Sequence, residues 1–193
     1  PIARGNNIGV NYNGTNGAQI TKFDDNWNLI GNPYPSAIRA LDFLKLNTNI
    51  EGAVRLWTHS NSPSSAISAS FYGNFVSNYT PSDYITYNGL GTVSGPAGFN
   101  GYIAGGQGFF VQMIDGAAAV QNVTFNNSLR SSIFANNQFY RTAQIEEDSN
   151  LIASRIWVDL IDGNNNSDRT LIGYAEGATS GKDRLFDAVT SAG

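Results

Sequence analysis

Cysteine is absent from all 193 residues. That removes disulfide cross-links, thiolate nucleophiles and thiolate metal sites together. Histidine is almost absent too: His59 stands alone, so any catalytic triad or imidazole general base would have to use it. It follows Thr58 at a strand end and precedes a serine-rich loop, and the chain contains no G-x-S-x-G elbow. His59 therefore reads as a strand-end histidine, and one imidazole cannot build a histidine-rich metal site. Charge is scarce, at 13% of residues against about 25% in an average domain. Only Lys22, Lys45 and Lys182 are lysines, there is no basic run, and the net charge is −4. Nucleic-acid binding and adhesion to an anionic membrane surface both need clustered cations, so neither is expected. No apolar run approaches 18 residues, which predicts no membrane-spanning helix.

What the chain does have is 41% apolar and 12% aromatic residues, enough for a substantial core. A chain of this length buries roughly 70% of its unfolded surface and needs no covalent staples. Asparagine, threonine, serine and glycine replace charge as the solvating residues, a balance that suits an extracellular β-protein. The absence of cysteine then favours a bacterial surface protein over a secreted eukaryotic domain. There is no internal repeat, heptad or clean linker, so residues 1–193 read as a single domain. The sequence opens on Pro1 rather than Met, which is expected of a fragment or module of a longer secreted protein.

The stretch Trp27 to Ser36 (WNLIGNPYPS) organises the rest. An apolar strand runs into a turn fixed by Pro33 and Pro35, which lock their own φ near −65° and hold Asn32 and Tyr34 extended. Ser36 is predicted to cap a helix over 37–45, with Ile38, Leu41, Phe43, Leu44 and Leu46 as its apolar side. Strands are predicted around Ile8–Tyr12, Ile20–Phe23, Ala53–His59, Phe71–Tyr79, Asp83–Tyr87, Tyr102–Ile114, Val120–Phe125, Ile156–Ile161 and Leu171–Ala175. In the first of the central ones, Val54, Leu56 and Thr58 share one face and Arg55, Trp57 and His59 the other. Gly105-Gly106 predicts a bulge or bend in the middle of a buried strand over 102–114. Residues 88–101 hold five glycines and a proline and read as a long loop, and Asp162–Asn166 as a hairpin connection. The expected fold is all-β: an antiparallel, jelly-roll-like β-sandwich of about eight to ten strands with one short helix.

Candidate chemistry is sparse. Acids that could pair for glycoside hydrolysis (Asp83, Asp115, Glu146, Glu147, Asp159) sit in no motif that implies a cleft, and the expectation is a non-enzyme. Asp162, Asn164, Asn166 and Asp168 alternate oxygen-bearing side chains as a calcium loop does. The match is partial, because Ser167 occupies the sixth position and Gly173 the twelfth, and Asn/Asp/Gly hairpins need no ion. Asp183–Asp187 is a second oxygen-rich segment. Among the aromatic residues, Tyr72, Tyr79, Tyr84, Tyr87, Phe99 and Tyr102 flank the central loops and are the candidates for stacking against sugar rings; Trp157 is read as core.

The ordered series WNLIGNPYPSAI, VRLWTH, SDYITYNG, GYIAGGQGFFVQ, VTFNNSLR, RIWVDL and LIGYAEGATSGKDRLFDA, running from Trp27 to Ala188, resembles a β-rich module of large secreted flavobacterial proteins of the Bacteroidetes. In those proteins it lies ahead of a C-terminal type IX secretion sorting domain. The resemblance implies a β-sandwich that is secreted or held at the outer cell surface. Its implied partners are an extracellular polysaccharide or another surface component, and the type IX machinery where a sorting domain is present. It brings no catalytic residues. A further β-rich segment and the sorting signal, which usually follow such modules, are not in this sequence.

Overall fold

The computed structural model describes residues 2–3, 26–58, 84–94, 99–114, 119–134, 136, 155–161 and 167–188. They form β1 (Ile2–Ala3), β2 (Trp27–Gly31), β3 (Ile38–Arg39), α1 (Ala40–Leu46), β4 (Val54–Trp57), β5 (Tyr84–Asn88), β6 (Gly91–Ser94), β7 (Tyr102–Ile103), β8 (Gly108–Gln112), β9 (Val120–Gln121), β10 (Arg155–Ile161) and β11 (Ser167–Gly173). The predicted strands around 8–12, 20–23 and 71–79 lie outside the described residues.

Alternation along β4 sets the centre of the fold. β4 lies in a five-stranded sheet of order β2-β8-β4-β5-β6 in which every pair is antiparallel. Val54 and Leu56 point to one face together with Ile85, Tyr87, Phe109 and Val111, all buried. Helix α1 covers that face: Phe43 meets the Phe109 ring edge-on at 5.3 Å and the Phe125 ring at 5.1 Å. The opposite face carries Trp27, Arg55, Trp57, Tyr84 and Phe110. There Arg55 lies 4.2 Å over the Trp27 ring and donates from Nε to Thr86 Oγ1 at 3.3 Å. Burial pulls its pKa down to about 10, so it stays protonated at neutral pH. Smaller antiparallel pairs, β3-β7, β1-β9 and β10-β11, complete an all-β, sandwich-like fold with one short helix.

Several local expectations are corrected. The helix starts at Ala40, not Ala37, and Ser36 does not cap it. Ile38 and Arg39 pair instead with Ile103 and Tyr102, and Gly101 O accepts the first helical N–H, from Ala40, at 2.8 Å. A sheet bond thus does the work of a side-chain cap. Residues 102–114 are not one strand with a bulge. β7 and β8 join different sheets, separated by a turn in which Gly106 has φ 74°. Residues 88–101 are not all loop: β6 returns along β5 as a hairpin. The expected hairpin is present, pairing from Arg155↔Gly173 to Ile161↔Ser167, but its second strand runs Ser167–Gly173 rather than Leu171–Ala175. Trp157, however, is 37% exposed rather than core, donating from Nε1 to Thr92 O at 3.1 Å.

The carboxyl-terminal residues strap the sheet and helix together. Arg184 donates to Leu44 O (2.8 Å), Ile50 O (2.9 Å) and Asn47 O (3.3 Å), meeting carbonyls that the end of α1 leaves unpaired. Desolvation lowers its pKa, with Glu51 opposing. Arg184→Met keeps the aliphatic stem but removes these donors. It is expected to lower the melting temperature by roughly 4–10 °C, and a thermal scan showing no shift would refute the strap's role.

Candidate functional site

The most built surface feature among the described residues grows out of the Asn32–Ser36 turn. Asn32 is buried where β2 ends. Its Oδ1 accepts the Tyr34 N–H at 3.0 Å, an Asx-turn, and its Nδ2 shares two hydrogens among Ser36 O (2.9 Å), Ala104 O (3.0 Å) and Ile103 O (3.1 Å). The backbone adds Asn32 N to Gln107 O at 3.0 Å and Gly106 N to Asn32 O at 3.1 Å. Gly105 is required for this interlock, because a Cβ there would lie 2.6 Å from the Pro35 carbonyl carbon. The two prolines therefore present Tyr34 and Ser36 at a fixed height above β7.

A second segment closes on that platform. A single 3-10 turn at Asn127–Leu129 has Asn126 as its cap, with Oδ1 accepting from Ser128 N at 2.9 Å. Leu129 is plugged into the core, and Arg130 bridges to Ile38. The Arg130 guanidinium is held from three sides. Nε donates to Ser36 Oγ at 3.1 Å, Nη1 donates to Asn127 Oδ1 at 3.3 Å, and the plane lies 4.7 Å over the Tyr34 ring. Tyr34 in turn meets Phe125 edge-on at 6.4 Å. Ser36, Asn127, Arg130, Ser131 and Ser132 line an open recess of about 330 Å³. The Ser131–Phe134 turn that forms its rim stacks Phe134 on Tyr102 with centroids 4.7 Å apart, and leaves Ile133 almost fully exposed. The lining supplies hydroxyl, amide and guanidinium groups beside half-buried rings, the combination that engages a polyol.

The predicted site residues separate. Tyr102 packs against Phe134, in the turn next to the recess. Tyr84 lies across the fold on the outer face of the large sheet, in an edge-to-face row with Trp57 (4.9 Å) and Phe110 (5.9 Å). Tyr87 and Phe99 are not stacking platforms: at 1% and 4% exposure they pack edge-on against each other, 5.0 Å apart, on the core side. Tyr72 and Tyr79 lie outside the described residues, as do His59, Asp162, Asn164 and Asn166. Asp168 falls on β11 opposite Leu160. Among the described residues no group of three His, Cys, Asp or Glu side chains could hold a metal. Asp159, one of the acids considered for hydrolysis, is exposed and makes a bidentate pair with Arg169 across the β10-β11 hairpin at 2.6 and 2.8 Å. The Arg169 hydrogen bond lowers its pKa. In the oxygen-rich segment 183–187, Asp183 accepts from Thr179 N and Oγ1, and Asp187 accepts from Asp183 N, so both carboxylates cap backbone.

The recess escaped sequence reasoning because its residues come from two stretches 94 positions apart. The available signal was that both stretches, NPYPS and NNSLR, belong to the recognised series of motifs.

The fold and recess define an all-β, sandwich-like protein with an open surface recess beside an interlocked proline turn. The chain belongs to the family described as a domain of unknown function, DUF8693, whose model matches residues 1–193. Nothing among the curated proteins and nothing among the solved structures matches it.

Proposed function

We infer that this chain is a non-catalytic module of a type IX-secreted protein of the outer cell surface, and that it binds extracellular glycan polymers. The observation that carries the reading is the recess lined by Ser36, Asn127, Arg130, Ser131 and Ser132, next to the turn that packs Phe134 against Tyr102. Its openness suits an internal segment of a polymer, and its described lining offers hydroxyl, amide and guanidinium groups rather than a paired general acid and base. The ordered series of motifs supports the secretion route. Among the described residues no helix is long and apolar enough to cross a membrane.

Affinity electrophoresis through gels holding different polysaccharides tests the binding. Wild-type protein is expected to be retarded, and Ser132→Trp, which fills the recess from an exposed position, is expected to lose that retardation at an unchanged melting temperature. Retardation lost instead in Trp57→Ala or Tyr84→Ala would move the site to the outer sheet face. Surface proteolysis of intact cells, with and without a working type IX system, tests the location.

A second reading, a spacer or subunit of a surface assembly, is favoured by the β10-β11 hairpin. Ile156, Val158, Leu160 and Ile172 share one face there, all about half exposed or more. On that reading the wild type self-associates in sedimentation experiments, Val158→Lys abolishes the association, and no glycan retards the protein.

A further inference from the structure

We propose that the recess selects acidic polysaccharides, binding a uronate carboxylate through Arg130; this rests on the glycan-binding reading above. Of the five N–H groups of a guanidinium, Arg130 commits two, to Ser36 Oγ and Asn127 Oδ1. The others have no acceptor among the described residues. Nor, among the described residues, has the charge a counter-ion: Arg39, Arg169 and Lys182 pair with Asp42, Asp159 and Glu51, whereas Arg130 pairs with no described carboxylate. None of the described residues lining the recess is acidic. Arg130 thus offers an uncommitted positive charge at the surface of a protein whose net charge is −4.

The guanidinium is also preorganised. The Tyr34 ring covers one of its faces at 4.7 Å while two hydrogen bonds fix its rotation. Holding an arginine still before the ligand arrives removes much of the side-chain entropy that makes exposed ion pairs weak. A planar carboxylate can then take two parallel N–H donors from the free edge, a geometry that lysine cannot supply. The surrounding serine hydroxyls suit the neighbouring sugar hydroxyls. The net negative charge of the protein does not defeat this, because at physiological ionic strength charges beyond about 8 Å are screened.

The test compares gels holding polygalacturonate, the same polymer fully methyl-esterified, dextran and dextran sulfate. Wild-type protein is expected to be retarded by polygalacturonate and to lose about tenfold in affinity when the carboxylates are esterified. Arg130→Gln is expected to lose the same factor toward polygalacturonate, and Arg130→Lys to fall between the two. Melting temperatures measured alongside confirm that each variant is folded. Equal retardation by the esterified polymer or by dextran overturns the charge selection while leaving glycan binding in place. Retardation by dextran sulfate alone overturns the carboxylate assignment. Unchanged binding by a folded Arg130→Gln protein overturns the role of Arg130. Retardation by none of the four overturns the glycan reading and this inference with it.

Discussion

Asn32→Asp is expected to destabilise the protein by about 4 kcal/mol or more, although it exchanges a single NH₂ for an oxygen. The amide nitrogen it removes is the only shared donor to Ser36 O, Ile103 O and Ala104 O, in a site 3% exposed. The replacement oxygen would face three acceptors and carry charge. Burial among acceptors raises the carboxyl pKa in the folded state above its unfolded value of about 3.9. The folded variant then holds its proton where the unfolded chain has released it, so stability falls as pH rises past the unfolded pKa. The deficit against wild type is therefore largest near neutrality and shrinks as pH approaches 4. Urea unfolding of both proteins across that range reads it directly. Asn122→Asp, on an exposed side chain, is the control and should shift stability by less than about 0.5 kcal/mol. A pH-independent difference between Asn32→Asp and wild type would show that the clamp is not what Asn32 provides.

The second large effect is expected at Gly52. A Cβ built there would overlap the Arg184 carbonyl oxygen and lie 2.9 Å from Leu185 Cα. These are backbone atoms and cannot swing aside, so Gly52→Ala must lift the strap off the sheet. Lifting it breaks the Arg184 bonds to α1 and its following turn, the Gly89 N to Leu185 O bond at 2.7 Å and the Asn88 Nδ2 to Phe186 O bond at 2.8 Å. It also strips Leu185 from the core. The combined loss is about 3 kcal/mol at least. Limited proteolysis should cut the variant within residues 176–188 at enzyme levels that leave the wild type whole. A variant that melts normally and resists cleavage would mean that the strap is not seated as described.

What the sequence disclosed follows from the range of the forces involved. The faces of β4, the proline turn and the β10-β11 hairpin were legible because period-two alternation and turn chemistry act over a few residues. The helix start was misplaced because Ser36 is a good local cap, while the pairing of Ile38 with Ile103 depends on a partner 65 residues away. Tyr87 and Phe99 were read as surface rings because an aromatic beside a glycine-rich stretch looks the same from either side of a sheet; only the arrival of the helix decides which side is interior. Gly52 carried no signal at all, since the atoms that forbid a side chain there belong to Arg184. Arg130 looked like any surface cation, and only its position over Tyr34 and against Ser36 sets it apart.

The strap also bears on when this protein can finish folding. Arg184 reaches back 140 residues to Leu44, and Asn88 reaches 98 forward to Phe186. At ribosomal speeds of about 5–20 residues per second, Leu44 waits roughly 7–28 s after its own synthesis for Arg184 to be made. During that interval the end of α1 lacks its cation and the core lacks Leu185. A nascent chain that cannot close early remains open to holding chaperones throughout that interval.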